Sequence, residues 1–220
     1  MKLTLGPVMV GTPVPFRGEE ASAIAKRPVA GPVAVGPLGL AGDEQADKVH
    51  HGGVDMAVHH YPHDHYPAWR AELDDHPLLA AAGAFGENIS TDGLTEEIVL
   101  IGDRFRLGSA LVEVSQGRQP CWKIDHKFER KGITARVLQT VRCGWYYRVL
   151  EPGTVSEGDY LELVERGHEG WDVERVFRAM FHKGASTQEL VGVAQLTALS
   201  QEWRGRALEL AVLQEGRAHR

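Results

Sequence analysis

A chain of 220 residues, 43% hydrophobic and 25% charged, is large enough to bury one principal core without disulfide or metal staples. Its 24 basic and 30 acidic side chains leave a formal charge of −6, which argues against nucleic-acid binding, since that needs clustered Lys and Arg. With only Cys121 and Cys143, the chain cannot by itself hold an iron–sulfur cluster or a four-cysteine zinc site.

The apolar start, Met1 to Phe16, is broken by Gly6, Pro7, Gly11, Pro13 and Pro15 and does not read as a signal peptide. No stretch approaches the roughly 20 apolar residues of a membrane span. The expectation is a cytoplasmic protein with no membrane contact and with reduced thiols. Short apolar runs between glycines and prolines predict strands within Leu3–Val10 and Ser22–Val35. Pro62 to Leu73 predicts a helix that Pro67 must bend or restart. A meander is expected from Glu97–Asp103, Arg104–Gly108 and Ala110–Val114, where apolar alternation meets Gly-Asp and Gly-Ser turns. Gly132 to Thr140 predicts a short helix. Gly144–Leu150, Glu151–Val155 and Tyr160–Val164 predict further strands, turned at Pro152-Gly153 and Glu157-Gly158-Asp159.

After Arg166 the texture changes to helical spacing: Trp171–His182, Ser186–Ala194 with a Ser-Thr cap, and Ser200–Leu213. The chain therefore reads as a mainly β body over residues 1–165 with a few short helices, followed by a small three-helix module over 166–220. Each closing helix is too short to stand alone, so the three are expected to pack on one another or on the body.

Three polar clusters stand out. In the first, Lys48 to His65, six of the 11 histidines lie around Gly52-Gly53. Imidazoles ligate metals or move protons near neutrality, and paired glycines let backbone N–H groups approach a phosphate. A zinc reading would pair His59 with His63, but Pro62 interrupts that turn and no acidic H-E-x-x-H partner is present. The bland alternative makes His63 and His60 solvent-facing or satisfied loop residues. In the second, Phe85 to Thr91, Asn88 either fixes a loop by its amide or presents it to a ligand. In the third, Val114 to His126, Gln116 to Cys121 is expected as a loop leaving a rigid strand. Arg118, Lys123 and His126 surround Cys121 with positive charge, which favours its thiolate. Cys143, in an apolar strand context, reads as inert.

Taken together, His50-His51-Gly52-Gly53-x-Asp55, Gly86-Glu87-Asn88-Ile89-Ser90-Thr91, Ser115-Gln116-Gly117-Arg118-Gln119-Pro120-Cys121 and Gly144–Leu150 resemble the MOSC domain, specifically its YiiM branch. The closing helices resemble the three-alpha module of that branch. The resemblance implies a MOSC-type β-barrel holding the molybdenum cofactor, with Cys121 as protein ligand to molybdenum. It also implies His50, His51, Gly52, Gly53, Asp55, Asn88, Gln116, Arg118 and Lys123 as cofactor-binding residues. The implied activity is reduction of N-hydroxylated compounds, such as hydroxylaminopurines, to amines. His51 or His59 would supply the acid for the departing oxygen. With no G-x-G-x-x-G after a strand and too few cysteines for a cluster, electrons are expected from a separate donor protein. The rival reading is a carrier of the cofactor or its sulfur without turnover. The helical module is either a packing appendix or a docking surface for the donor or for a second subunit in a homodimer. One departure from the branch pattern is Met56, where a basic residue is common; Lys48, Arg118 or Lys123 would then have to supply that charge.

Overall fold

The computed structural model describes residues 1–47 and 52–218. Lys48, Val49, His50 and His51 fall outside them. The strands are β1 (Lys2–Thr4), β2 (Met9–Val10), β3 (Val14–Arg17), β4 (Glu20–Ser22), β5 (Arg27–Pro28), β6 (Val33–Gly36), β7 (Gly39–Leu40), β8 (Val58–His60), β9 (Arg104–Leu107), β10 (Ala110–Gly117), β11 (Trp145–Glu151), β12 (Gly153–Val155) and β13 (Tyr160–Glu165). The helices are α1 (Tyr66–Glu72), α2 (Lys123–Lys127), α3 (Ile133–Thr140), α4 (Val173–Phe181), α5 (Thr187–Gln195) and α6 (Gln201–Ala218).

A six-stranded antiparallel sheet, in the order β1-β13-β9-β10-β11-β8, curls into a half-barrel. Three small sheets, β12-β6-β7, β2-β5 and β3-β4, accompany it. Alternation decides which side chains fill the barrel: Phe105 and Leu107 on β9, Val112 and Val114 on β10, and Trp145 and Tyr147 on β11 are all buried. Burying apolar surface at about 25 cal/mol per Å² makes this face the main source of stability.

The three closing helices form as expected. Asp172 caps α4 by accepting from the Arg175 N–H, and Ser186 caps α5 by accepting from the Glu189 N–H. Their apolar faces, with Val173, Val176, Phe177 and Trp203, join the same core as the barrel residues. The helices thus pack on one another and on the body.

One expected strand is absent. Glu97 to Asp103 forms turns and one isolated bridge, Leu100 to Asp172: Ile98 and Val99 N–H donate to the Thr95 carbonyl, Ile101 N–H to the Trp171 carbonyl, and only Gly102 and Asp103 bond to β10, at Val114. The Asp103 carboxylate, completely buried, takes the Leu100 and Gly167 N–H groups. Within the segment, this local carboxylate takes the Leu100 N–H away from strand pairing. At Pro62–Leu73 the chain makes a 3₁₀ turn at His63–His65 and restarts as α1, with Pro67 in the first turn where it removes no helical hydrogen bond.

Candidate functional site

Strand β10 was expected to end near Val114, but it continues to Gly117, with a register shift between Val114 and Gln116. Val114 faces Tyr147, whereas Gln116 faces Tyr146 and Gly117 faces Trp145. The extra residue, Ser115, inverts the alternation. Gly117 is thereby turned to the core, where an added Cβ would lie 3.3 Å from Val173, Phe177 and Trp203, and Arg118 is turned the other way. The Ser115 hydroxyl donates to the carbonyls of Asp55 (2.6 Å) and Tyr146 (3.0 Å), and its own carbonyl accepts the Ser200 N–H.

The bulge opens onto a concave cleft between β10, β11 and the loops around Lys26, Asp43 and Gly86. Cys121, Arg118, Lys26, His59 and Tyr146 line it, together with backbone from Gly52 and Gly86. Cross-strand register puts His59 beside Tyr146, ring centroids 5.0 Å apart. His59 is 3% exposed, and among the described residues its Nε2 has no hydrogen-bond partner. Burial first, then the charges of Arg118 and Lys26, hold it well below the usual histidine range, so the ring is neutral.

Two buried carboxylates build the walls. Asp43 accepts from Lys26 (2.5 Å), the Asn88 amide (2.9 Å) and the Gly11 N–H (2.8 Å). Glu87 accepts from the Tyr66 hydroxyl and from the Gly83 and Phe85 N–H groups, which fixes the Gly83–Gly86 turn. Lys127, drawn down to about 8 chiefly by burial, donates to the carbonyls of Ile24 and Gly83 and so ties α2 to both walls. A third carboxylate, Glu96, accepts the N–H groups of Cys143 (2.8 Å) and Gly144 (2.6 Å) and meets His65 Nε2 at 2.7 Å. Gly144 has φ +69°, and its carbonyl takes the Arg118 N–H.

Of the residues singled out in the sequence, Gly52, His59, Asn88, Arg118, Cys121 and Lys123 line the cleft. Asn88 is also structural, since its amide oxygen accepts the His59 N–H while its nitrogen donates to Met9 and Asp43. Gln116 lies within β10 instead of in a loop, and is not a lining residue. Nor are Gly53 and Asp55: Asp55 instead pairs with Arg148 (2.7 Å), which also holds Glu113. His50 and His51 lie outside the described residues. His60 is fully buried in β8 between the Tyr147 hydroxyl and Thr91, so it is a core histidine and not a loop one. His63 bonds to Asp92 at the surface. Among the described residues no three His, Cys, Asp or Glu side chains come together to hold a metal ion. Cys143 is buried, its thiol donates to the Gly144 carbonyl, and burial pushes its pKa up.

Sequence reasoning missed Lys26, Asp43 and Tyr146. Met56 also lines the cleft, and among the described residues the positive charge there comes from Arg118, Lys123 and Lys26. Among the described residues neither Arg118 nor Lys123 has a carboxylate partner.

The MOSC domain family matches residues 47–162, more than half of the chain. This chain belongs to the MOSC family. YiiM of Escherichia coli is 50% identical over 145 residues, 66% of this chain and 65% of that protein. The crystal structure of E. coli YiiM superposes with a TM-score of 0.82 at 33% identity, covering 97% of this chain and 94% of that one. These place the chain in the YiiM branch. A Gibberella moniliformis protein named "Reductase" is 42% identical over 180 residues, 81% of this chain but only 32% of that longer protein. Among the described residues no helix is long and apolar enough to cross a membrane.

Proposed function

We propose that this protein binds the molybdenum cofactor through the Cys121 thiolate and reduces N-hydroxylated bases to amines with electrons from a separate donor protein. The observation that carries the reading is the donor set of the cleft. A thiol lies among Arg118, Lys26 and Lys123 in one cleft, and among the described residues Arg118 and Lys123 have no carboxylate partner. A soft thiolate suits a thiophilic metal, and the cations and the Gly52 backbone suit the polar, anionic parts of a phosphorylated pterin. Bound there, the cofactor would supply two-electron oxygen-transfer chemistry. The chain's own part is to hold and orient it: Cys121 from the loop after β10, Arg118 from the re-phased strand end, and Lys26 fixed by Asp43. The name of the Gibberella relative supports a reductive activity.

The test is molybdenum content of the wild type and of Cys121→Ala, both made in a host that synthesises molybdopterin, followed by reduction of 6-hydroxylaminopurine with an artificial reductant. The wild type should hold molybdenum and release adenine, and the variant neither. Molybdenum without amine would identify a carrier, and metal retained by Cys121→Ala would refute ligation at that sulfur.

A further inference from the structure

The chain has five tryptophans and six phenylalanines, and all but Phe16 and Trp122 lie in the hydrophobic core or pack against it. These two are half-buried and meet each other, ring centroids 6.1 Å apart. Apolar residues scattered singly over a surface are ordinary; aromatic rings gathered beside a cleft mark a face that a ligand covers.

The chain places this group at the lip of the cleft. Cys121 and Lys123, on either side of Trp122, are lining residues, and so are Ser22, Ala23 and Ile24, which follow the β3–β4 hairpin that carries Phe16. Trp122 is thus one residue from the candidate metal-binding thiol. What ties the hairpin to α2 is Phe16 with His126: their rings meet edge to face at 4.6 Å, and His126 Nε2 donates to the Phe16 carbonyl at 2.8 Å. Trp122 adds little to that tie, its ring lying 6.1 Å from both others.

One group does lie flat against the indole. The Arg17 guanidinium sits 3.8 Å from the ring centroid, the separation of two stacked planar groups. Arg17 is held there weakly, since 55% of its side chain is exposed and its ion pair with Glu20, itself 52% exposed, spans 3.4 Å. An exposed cation–π contact favours the closed arrangement about 2- to 5-fold, whereas a base stacked on an aromatic ring tightens binding about 5- to 100-fold. A planar heterocycle therefore wins the indole face from the guanidinium.

We propose that Trp122 is the seat for the heteroaromatic ring of the substrate, with Arg17 lifting to stack on the outer face of that ring. The substrate class is then a planar heterocyclic N-hydroxylamine, held by its ring at the lip with its N–OH group toward the cleft. This rests on the function proposed above for the reaction, but not for the binding of the ring.

The experiment compares the wild type with Trp122→Ala and Trp122→Phe, made in a host that synthesises molybdopterin. Equilibrium dialysis with adenine, which has the ring and no N–OH group, reads the seat without turnover; 6-hydroxylaminopurine with reduced methyl viologen reads KM and kcat. In Trp122→Ala the adenine affinity should fall about 5- to 20-fold and KM should rise by a similar factor, with kcat within threefold and molybdenum per chain at the wild-type level. Trp122→Phe, which keeps an aromatic face, should recover most of both losses. Adenine that fails to bind the wild type, or that binds Trp122→Ala within twofold of it, overturns the seat. Loss of molybdenum or of kcat along with affinity in Trp122→Ala overturns it too, because the indole would then be holding the Cys121 loop. A wild type that binds adenine through Trp122 yet makes no amine overturns the reductase reading and leaves the seat standing, whereas an active wild type beside a Trp122→Ala of unchanged KM overturns the seat alone.

Discussion

Asp43 and Lys26 form an ion pair with side chains 2% and 10% exposed, and Asn88 and Gly11 hang on the same carboxylate. Replacing Asp43 by Asn removes the counter-charge and leaves one oxygen for three donors. Two routes remain for Lys26. It stays charged without its counter-ion, which in buried pairs costs about 3–5 kcal/mol. Or it gives up its proton: from a reference value of 10.5, neutralisation at pH 7 costs about 3.5 × 1.36, or roughly 5 kcal/mol. The two figures agree, so Asp43→Asn should destabilise by about 3–5 kcal/mol, lowering the melting temperature on the order of 10 °C for a chain of this length. Adding Lys26→Met removes the stranded charge, so the double variant should be at least about 2 kcal/mol more stable than the sum of the two single losses. Urea unfolding at pH 7, followed by tryptophan fluorescence with a common slope, measures all four proteins. A loss below about 1 kcal/mol in Asp43→Asn, or single effects that add to within about 0.5 kcal/mol, would refute the account of the cleft wall.

Glu96→Ala should cost about 3–5 kcal/mol by calorimetry, because the Cys143 and Gly144 N–H groups and His65 all lose their acceptor; a loss under 1 kcal/mol would mean that water replaces it. Gly117→Ala puts a methyl 3.3 Å from three core side chains of α4 and α6, and the overpacking should destabilise by about 1–3 kcal/mol in urea unfolding. Glu72 is held down to about 2, first by its hydrogen bond to Arg136 and then by Arg142. Its folded-state value is depressed, so its contribution is complete above about 4.5 and lost as the pH falls toward 2. With 30% of the side chain exposed, screening reduces the effect to about 1–2 kcal/mol. Between pH 5 and 2.5 the wild type should therefore lose that much more stability than Glu72→Gln, and parallel curves would remove the assignment.

The barrel strands from β9 onward and the closing helices were legible because each buries a periodic apolar face, and period is what a sequence displays best. The expected strand at Glu97–Asp103 has the same alternation, yet the Leu100 N–H goes to the buried Asp103 carboxylate and those of Ile98, Val99 and Ile101 to turn and loop carbonyls, a competition that apolar pattern does not report. Cys121, Arg118 and Lys123 could be singled out because they are neighbours in sequence. Lys26 and Asp43 could not, being 17 residues apart and joined only by tertiary structure. Tyr146 left a faint signal: between Trp145 and Tyr147 in a strand with two buried aromatics, the middle residue must face the other way.

The Ser115 bulge explains why the closing helices matter to a site that none of their residues lines. Without the extra residue, alternation from Val114 would send Arg118 toward the core and Gly117 toward the cleft. With it, Gly117 meets Val173, Phe177 and Trp203, and the Ser115 carbonyl is taken by the N–H of Ser200, the residue just before α6. The helices therefore close both the cavity left by a residue without a side chain and the unpaired backbone group left by the bulge. Stripped of them, β10 would carry an exposed apolar face and an orphan carbonyl at the very turn that aims Arg118. The packing of the module and the geometry of the cleft are two ends of one strand irregularity.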